Sequence, residues 1–361
     1  MVEDLESPPT NPPTKMATPP TPEPWDPTSI VILFFMAFLC CFTITQYCFQ
    51  HDAYLSHNED SVQHDNTTFV YGPPNAEFDW CERNFLWSKF VAEPVNTVTG
   101  LFFIVVPLLG EALHKDLPLP WPAHLTLFFT GLIGIGTVLF HATLRYPAQL
   151  LDELPIYYLI LLIVLELSDL EATAVRSCVS VWATTLTVLL FAIPQDLFLH
   201  ELVRGIMSCT FTVCFIYTFY KISARASAMK TTTVDAAAGP TDFKPQVQQL
   251  FRYSFGFFVV AEVCWLIDNS QCPTLRTSLP FYPHLHAVWH FFAAGGMYGL
   301  WCCVLALKWV DGKATGSTSR SSDGESTNVV EVEWCFGVVP RIAVRGREGG
   351  GLKEGEQKKD K

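Results

Sequence analysis

HAVWHFFAAGGMYGLWCCVLALKW, residues 286–309, decides the fold. It meets the ~20 apolar residues needed to cross a bilayer core, and its one charge, Lys308, stands at the far end. Seven more apolar stretches of near-spanning length precede it, at 28–49, 91–111, 121–142, 149–167, 176–194, 197–220 and 250–268. The whole chain agrees. Of its 361 residues 50% are hydrophobic and only 16% charged, with a mean hydropathy of +0.26, a combination foreign to soluble enzymes. The expected fold class is all-α: a polytopic membrane helical bundle with a seven-helix core and one extra N-terminal transmembrane anchor. The net charge of −12 gives no basis for a nucleic-acid partner.

The pattern divides the chain. Residues 1–27, rich in Pro, Thr and Glu, read as a disordered tail. The 28–49 segment lacks a basic flank and a small-residue cleavage site, so it reads as a retained anchor rather than a signal peptide. Residues 50–77 form a polar linker, 78–310 the seven-helix domain, and 311–361 a polar, Gly-rich tail expected to be disordered. An apolar patch at 334–345, WCFGVVPRIAVR, interrupts that tail without an assigned role.

Charge sets an orientation. Lys115, Arg176, Lys221, Arg225, Lys230 and Lys244 fall on one side of the alternating segments; Arg83, Lys89, Arg145 and Arg276 fall on the other. The positive-inside rule puts the first side, with the C-terminus, in the cytosol. The sequon Asn66-Thr67-Thr68 falls in the opposite, lumenal loop, as a candidate glycosylation site.

The same assignment gathers chemistry at the lumenal end. His286 and His290, spaced i,i+4, share one helix face. His141 closes another segment, and Asp152 opens the next. A single histidine there reads as a helix-end residue. Three together, at one end of the bundle, match the ligand set of a catalytic zinc with its fourth position open, and polar groups at membrane depth are usually functional. The residues therefore point to an intramembrane metal hydrolase. Nearby, Asp79-Trp80-Cys81-Glu82-Arg83-Asn84 is followed by Glu93. These oxygen donors suit calcium, but on composition alone an acidic turn with a helix cap serves equally. Thr137 lies four residues before His141, and spacing alone does not separate a functional hydroxyl from one back-bonded to its helix.

Four stretches carry a family resemblance: FDWCERNFLWSKFVAEPVNTVTG (78–100), GTVLFHATLRYPAQLLDELPIYY (136–158), LIDNSQCPTLR (266–276) and HAVWHFFAAGGMYG (286–299). With them the chain resembles the alkaline ceramidases, within a wider superfamily of seven-helix membrane hydrolases that also holds the adiponectin receptors. The resemblance implies Zn2+ on His141, His286 and His290. It implies a structural Ca2+ on Asp79, Trp80 (through its carbonyl), Glu82, Asn84 and Glu93, and a disulfide between Cys81 and Cys272. Where the family commonly has Ser, this chain has Thr137. The implied reaction is hydrolysis of a ceramide-type lipid amide to a sphingoid base and a free fatty acid. Asp152 would orient the water or carry its proton, and Thr137 would donate to the oxyanion. The alternative is a receptor-type member with slow or no hydrolysis. Partners are thus the lipid substrate and the bilayer, with no protein partner predicted; the expected location is the endoplasmic reticulum, the Golgi or both. Tyr157, Tyr158, Trp289 and Trp301 are expected to pack, and Glu166, Glu262 and Arg204 to pair helices.

Overall fold

The computed structural model describes residues 70–168, 173–229, 243–278, 282–310, 327–335 and 337–347. The expected N-terminal tail, the 28–49 anchor and Asn66 lie outside the described residues. Within them the helices are α1 (Pro94–Thr99), α2 (Phe102–Leu113), α3 (Trp121–Thr143), α4 (Tyr146–Leu167), α5 (Thr173–Ala192), α6 (Phe198–Ala228), α7 (Phe243–Ser278) and α8 (Leu285–Val310). A turn at Gly100 and Leu101 separates α1 from α2, which together make one span, so the described helices form seven rods. Five rods are long and apolar enough to cross a membrane: Pro94–Leu113, Trp121–Thr143, Phe198–Ala228, Phe243–Thr277 and Leu285–Val310. α4 carries Asp152, Glu153 and Glu166 among its apolar residues, and the apolar part of α5 runs only from Arg176 to Ala192. Leu108, Phe128, Val188, Phe191 and Val213 stand exposed. Water tolerates isolated residues of this kind but not a bundle clothed in them; lipid does.

α8 is the central rod, buried along most of its length. Small residues admit its neighbours, as is usual between membrane helices: a Cβ on Gly296 would press into the Phe258 ring of α7, and Ser254 of α7 donates to the Gly296 carbonyl at 2.8 Å. α3 and α4 meet more closely still. Leu144, in the left-handed conformation, ends α3, Arg145 begins the next helix, and a Cβ on Gly136 would collide with the Leu151–Asp152 peptide. Polar pairs join other helices. Lys308 of α8 meets Glu166 of α4 at 2.7 Å. Arg204 of α6 meets Glu153 of α4 at 2.9 Å and Glu77, before the first helix, at 2.5 Å. The end of the expected linker is itself held, since Asn75 and Ala76 both donate to the Leu144 carbonyl at 3.0 Å.

Two expectations need correction. The loop expected between the last two rods begins later, because α7 stays helical to Ser278. Cys272 is therefore on a helix, and its polar last turns are tied to residues 81 and 82 by the disulfide and by Arg276. The tail expected to be disordered also contains order. Thr327–Cys335 (β1) and Val339–Arg347 (β2) form an antiparallel hairpin pairing Val332 with Ile342 and Glu333 with Arg341, turned with Gly337 at φ 73. A lone two-stranded hairpin is marginal in water. This one buries Val332 and Ile342 in the main core, beside α2, α7 and α8. Ile342 N–H donates to His114 Nε2 at 3.0 Å, Val332 N–H to Gln246 Oε1 at 2.7 Å, and the Tyr298 hydroxyl to the Pro340 carbonyl at 2.8 Å. The patch at 334–345 is thus a docking strand on the end of the bundle opposite the histidines.

Candidate metal centre

His141 comes from the last turn of α3, His286 and His290 from the first turns of α8. Their rings lie 4.7–5.1 Å apart, centroid to centroid, and are almost entirely shut from solvent. One ring nitrogen from each lies within 4.8 Å of the others; among the described residues no other set of three His, Cys, Asp or Glu side chains is so placed. The hydrogen bonds say which nitrogens are spoken for. His141 Nδ1 meets Glu93 Oε2, and His290 Nδ1 lies 2.8 Å from Thr99 Oγ1. Nε2 of both rings, and Nδ1 of His286, are buried with no protein partner. Buried polar atoms are nearly always bonded, so three unpartnered imidazole nitrogens in one place fit a metal ion, and the all-nitrogen donor set suits zinc. The His286 ring is stacked on Trp80 at 3.6 Å, with Trp289 parallel to it at 5.3 Å.

Asp152 reaches α3 one turn from His141. Thr137 Oγ1 lies 2.5 Å from Asp152 Oδ1 and 2.8 Å from the Ile133 carbonyl. One hydroxyl hydrogen serves one acceptor at a time, and a carboxylate is the stronger acceptor. Thr137 therefore donates to Asp152, with the Ile133 carbonyl as the competing acceptor.

The second set of predicted residues lies directly beside the first. Glu93, fully buried, accepts from His141, from Trp80 N–H at 3.2 Å and from Asn96 Nδ2 at 3.2 Å. Burial, opposed by the Asn96 amide, pushes its carboxyl up to about 8. Asn84 Nδ2 donates to Asp79 Oδ1 at 2.8 Å, which leaves Asn84 Oδ1 buried without a partner. That atom, Asp79 and Glu93 are oxygens of the type calcium takes. Glu82 also caps a helix: its two oxygens accept Val95 N–H at 2.8 Å and Asn96 N–H at 2.9 Å in the first turn of α1.

Cys81 and Cys272 are joined by a disulfide, with 5.4 Å between their Cα atoms. Arg276, one turn on, donates to the Cys81 and Glu82 carbonyls at 2.7 and 3.0 Å. Two residues with structural roles at the site escape a reading of the sequence. Asp268, fully buried, accepts from the Tyr282 hydroxyl, from His286 N–H at 3.3 Å and from Cys81 N–H at 3.4 Å. It lies in LIDNSQC, a stretch that carries the family resemblance without assigning it a role. Thr99 lies in FDWCERNFLWSKFVAEPVNTVTG, again with no role implied, and no spacing signal marks it.

The ceramidase family model matches residues 72–323, a range that holds every residue of both clusters. The chain belongs to the ceramidase family. Among curated ceramidases, alkaline ceramidase 3 of Mus musculus is 27% identical over 246 residues, covering 63% of this chain and 82% of that protein. Alkaline ceramidase 1 of Mus musculus is 28% identical over 240 residues, 61% of this chain and 76% of that protein. The alkaline ceramidase of Arabidopsis thaliana is 24% identical over 242 residues, 65% and 84% respectively. The family match covers the helices beside the hairpin but stops short of the hairpin itself, which begins at Thr327.

Proposed function

We propose that this ceramidase-family hydrolase is a zinc-dependent intramembrane amidase that cleaves the amide bond of ceramide. The observation that carries this reading is the trio of buried imidazoles with unpartnered nitrogens. His141, His286 and His290 would hold the ion, which when bound supplies Lewis-acid activation of a water and of the amide carbonyl. The remaining chemistry falls to Asp152. Its carboxylate, held by Thr137, takes a proton from the attacking water as oxygen bonds to the carbonyl carbon. It returns that proton to the nitrogen as the C–N bond breaks. The products are a sphingoid base and a fatty acid. Both substrate chains are apolar, so a site among membrane helices lets them stay in lipid.

Calcium on Asp79, the Trp80 carbonyl, Glu82, Asn84 and Glu93 is the second part of the proposal. The support is the unpartnered Asn84 Oδ1 and the buried Glu93 carboxyl beside it; a cation there lets Glu93 stay ionised. Its role is structural, because Glu93 and Trp80 each touch a zinc histidine. The excess of Lys and Arg on one set of loops supports a cytosolic C-terminus and a lumenal site, in the membrane of the endoplasmic reticulum or Golgi.

The test is release of free long-chain base from ceramide by the purified full chain, run beside His286→Ala and Asp152→Asn. Release by the native chain and loss in both variants is expected, with metal content kept in Asp152→Asn. Unchanged turnover in Asp152→Asn would remove that residue from the mechanism; unchanged turnover in His286→Ala would end the zinc reading.

A further inference from the structure

We infer that Thr99 is the positioning residue of His290: its hydroxyl fixes which nitrogen of that ring faces the metal and how the ring is turned. The inference rests on the zinc reading above and extends it to a residue outside both ligand sets.

Thr99 is the last residue of the short helix α1. Its Oγ1 has two neighbours behind it, the Val95 carbonyl at 2.9 Å and the Asn96 carbonyl at 3.1 Å, and one ahead, His290 Nδ1 at 2.8 Å. Both carbonyls can only accept, and a metal on Nε2 requires the ring proton on Nδ1, so with the ion bound the hydroxyl hydrogen goes to a helix carbonyl. Toward His290 the oxygen then accepts from Nδ1–H. Nε2 is the nitrogen that is buried with no protein partner. A metal-bound histidine typically donates its other N–H to such a partner, which sets tautomer and ring angle.

The location of Thr99 makes the effect directional. Glu93, at the other end of α1, accepts from His141 Nδ1. Gly100 follows Thr99, and a Cβ there would lie 2.8 Å from Thr137 Cγ2, so the end of α1 is pressed against the residue that holds Asp152. The six-residue helix and its N-cap Glu93 thus supply partners to imidazoles on two different rods, α3 and α8. The Cys81–Cys272 disulfide and the Glu82 cap hold that helix in place.

The experiment compares native, Thr99→Val, Thr99→Ser and His290→Ala chains, full length in detergent or nanodiscs. Zinc affinity is read by competition with a chelator, and the cobalt-substituted proteins by their visible spectrum. Val matches Thr in shape and removes only the oxygen; Ser keeps the oxygen. Thr99→Val should lose about 10- to 100-fold in zinc affinity, as removal of such partners does, and shift the cobalt bands. Its metal-free melting temperature should stay near native, and Thr99→Ser should restore the affinity. Native affinity and an unshifted spectrum in Thr99→Val would overturn the inference while leaving the zinc site intact. Equal loss in Val and Ser, with a lowered metal-free melting temperature, would assign Thr99 to packing instead and also overturn it. Zinc binding by His290→Ala at native strength would mean that the metal reading itself has failed.

Discussion

Gly136→Ala adds one methyl group where the structure has no room for it. In an exposed helix this change would favour helix by about 1 kcal/mol. Here the new Cβ meets the Leu151 carbonyl and Asp152 nitrogen, backbone atoms that cannot rotate aside. Ordinary contact begins at 3.4 Å, so α3 and α4 must part locally by about 1 Å, at a typical overpacking cost of about 1–3 kcal/mol. That strain outweighs the propensity gain. The same movement acts on the hydrogen bond one residue away. Thr137 Oγ1 and Asp152 Oδ1 now lie 2.5 Å apart, and an added ~1 Å takes them past hydrogen-bond range. Misplacement of a reacting group by this amount costs about 100-fold in rate. The assay is the initial rate of long-chain base release by the purified variant, with its melting curve and metal content measured alongside. A fall of about 100-fold in turnover with metal retained is expected, because α8 and the end of α3 still present all three imidazoles. Turnover within about threefold of native would show that the Thr137–Asp152 contact does not set the rate.

Other parts of the structure make separate predictions. Ile342→Ala removes a side chain that is 1% exposed and should cost about 2–5 kcal/mol of hairpin docking, seen as faster proteolysis within 327–347; unchanged protection would mean the hairpin is not held by its core contacts. Cys81→Ser opens the link between the segment before α1 and α7 and should cost about 2–5 kcal/mol, read as a lower melting temperature without reductant; an unshifted melt would make the bond dispensable. Arg204→Met strands the Glu77 and Glu153 carboxylates, now at 2.5 and 2.9 Å from the guanidinium, and should destabilise by about 3–5 kcal/mol, whereas a near-neutral result would show that water already solvates both acids.

The bundle was legible because membrane spans announce themselves by length and apolarity alone. Six of the seven described rods start within three residues of the expected stretches. The exception is α7, whose polar ends read as loop when apolarity is the only signal. Asn269 to Ser278 stays helical for reasons that lie far away in the sequence: the Cys81 sulfur, the Cys81 and Glu82 carbonyls and the buried Asp268. The histidines were legible for a different reason. Their side chains carry chemistry that membrane helices rarely spend, and the alternation of spans put all three at one end. Thr99 carries no such mark; threonine is common in helices, and its partner His290 is 191 residues away. The hairpin was missed because its alternation, Val332 against Glu331 and Glu333, is short and sits in a Gly- and Ser-rich surround. Its stability comes from His114, Gln246 and Tyr298 on the helices, which no local pattern reveals.

Three imidazoles are proposed to hold a zinc ion at one end of this ceramidase-family bundle. X-ray absorption at the zinc edge on the purified, active chain tests it most directly. The expected result is one zinc bound through three imidazole nitrogens at about 2.0–2.1 Å, with the signal lost in His141→Ala. Full ceramide turnover by a chain that gives no zinc signal would contradict it.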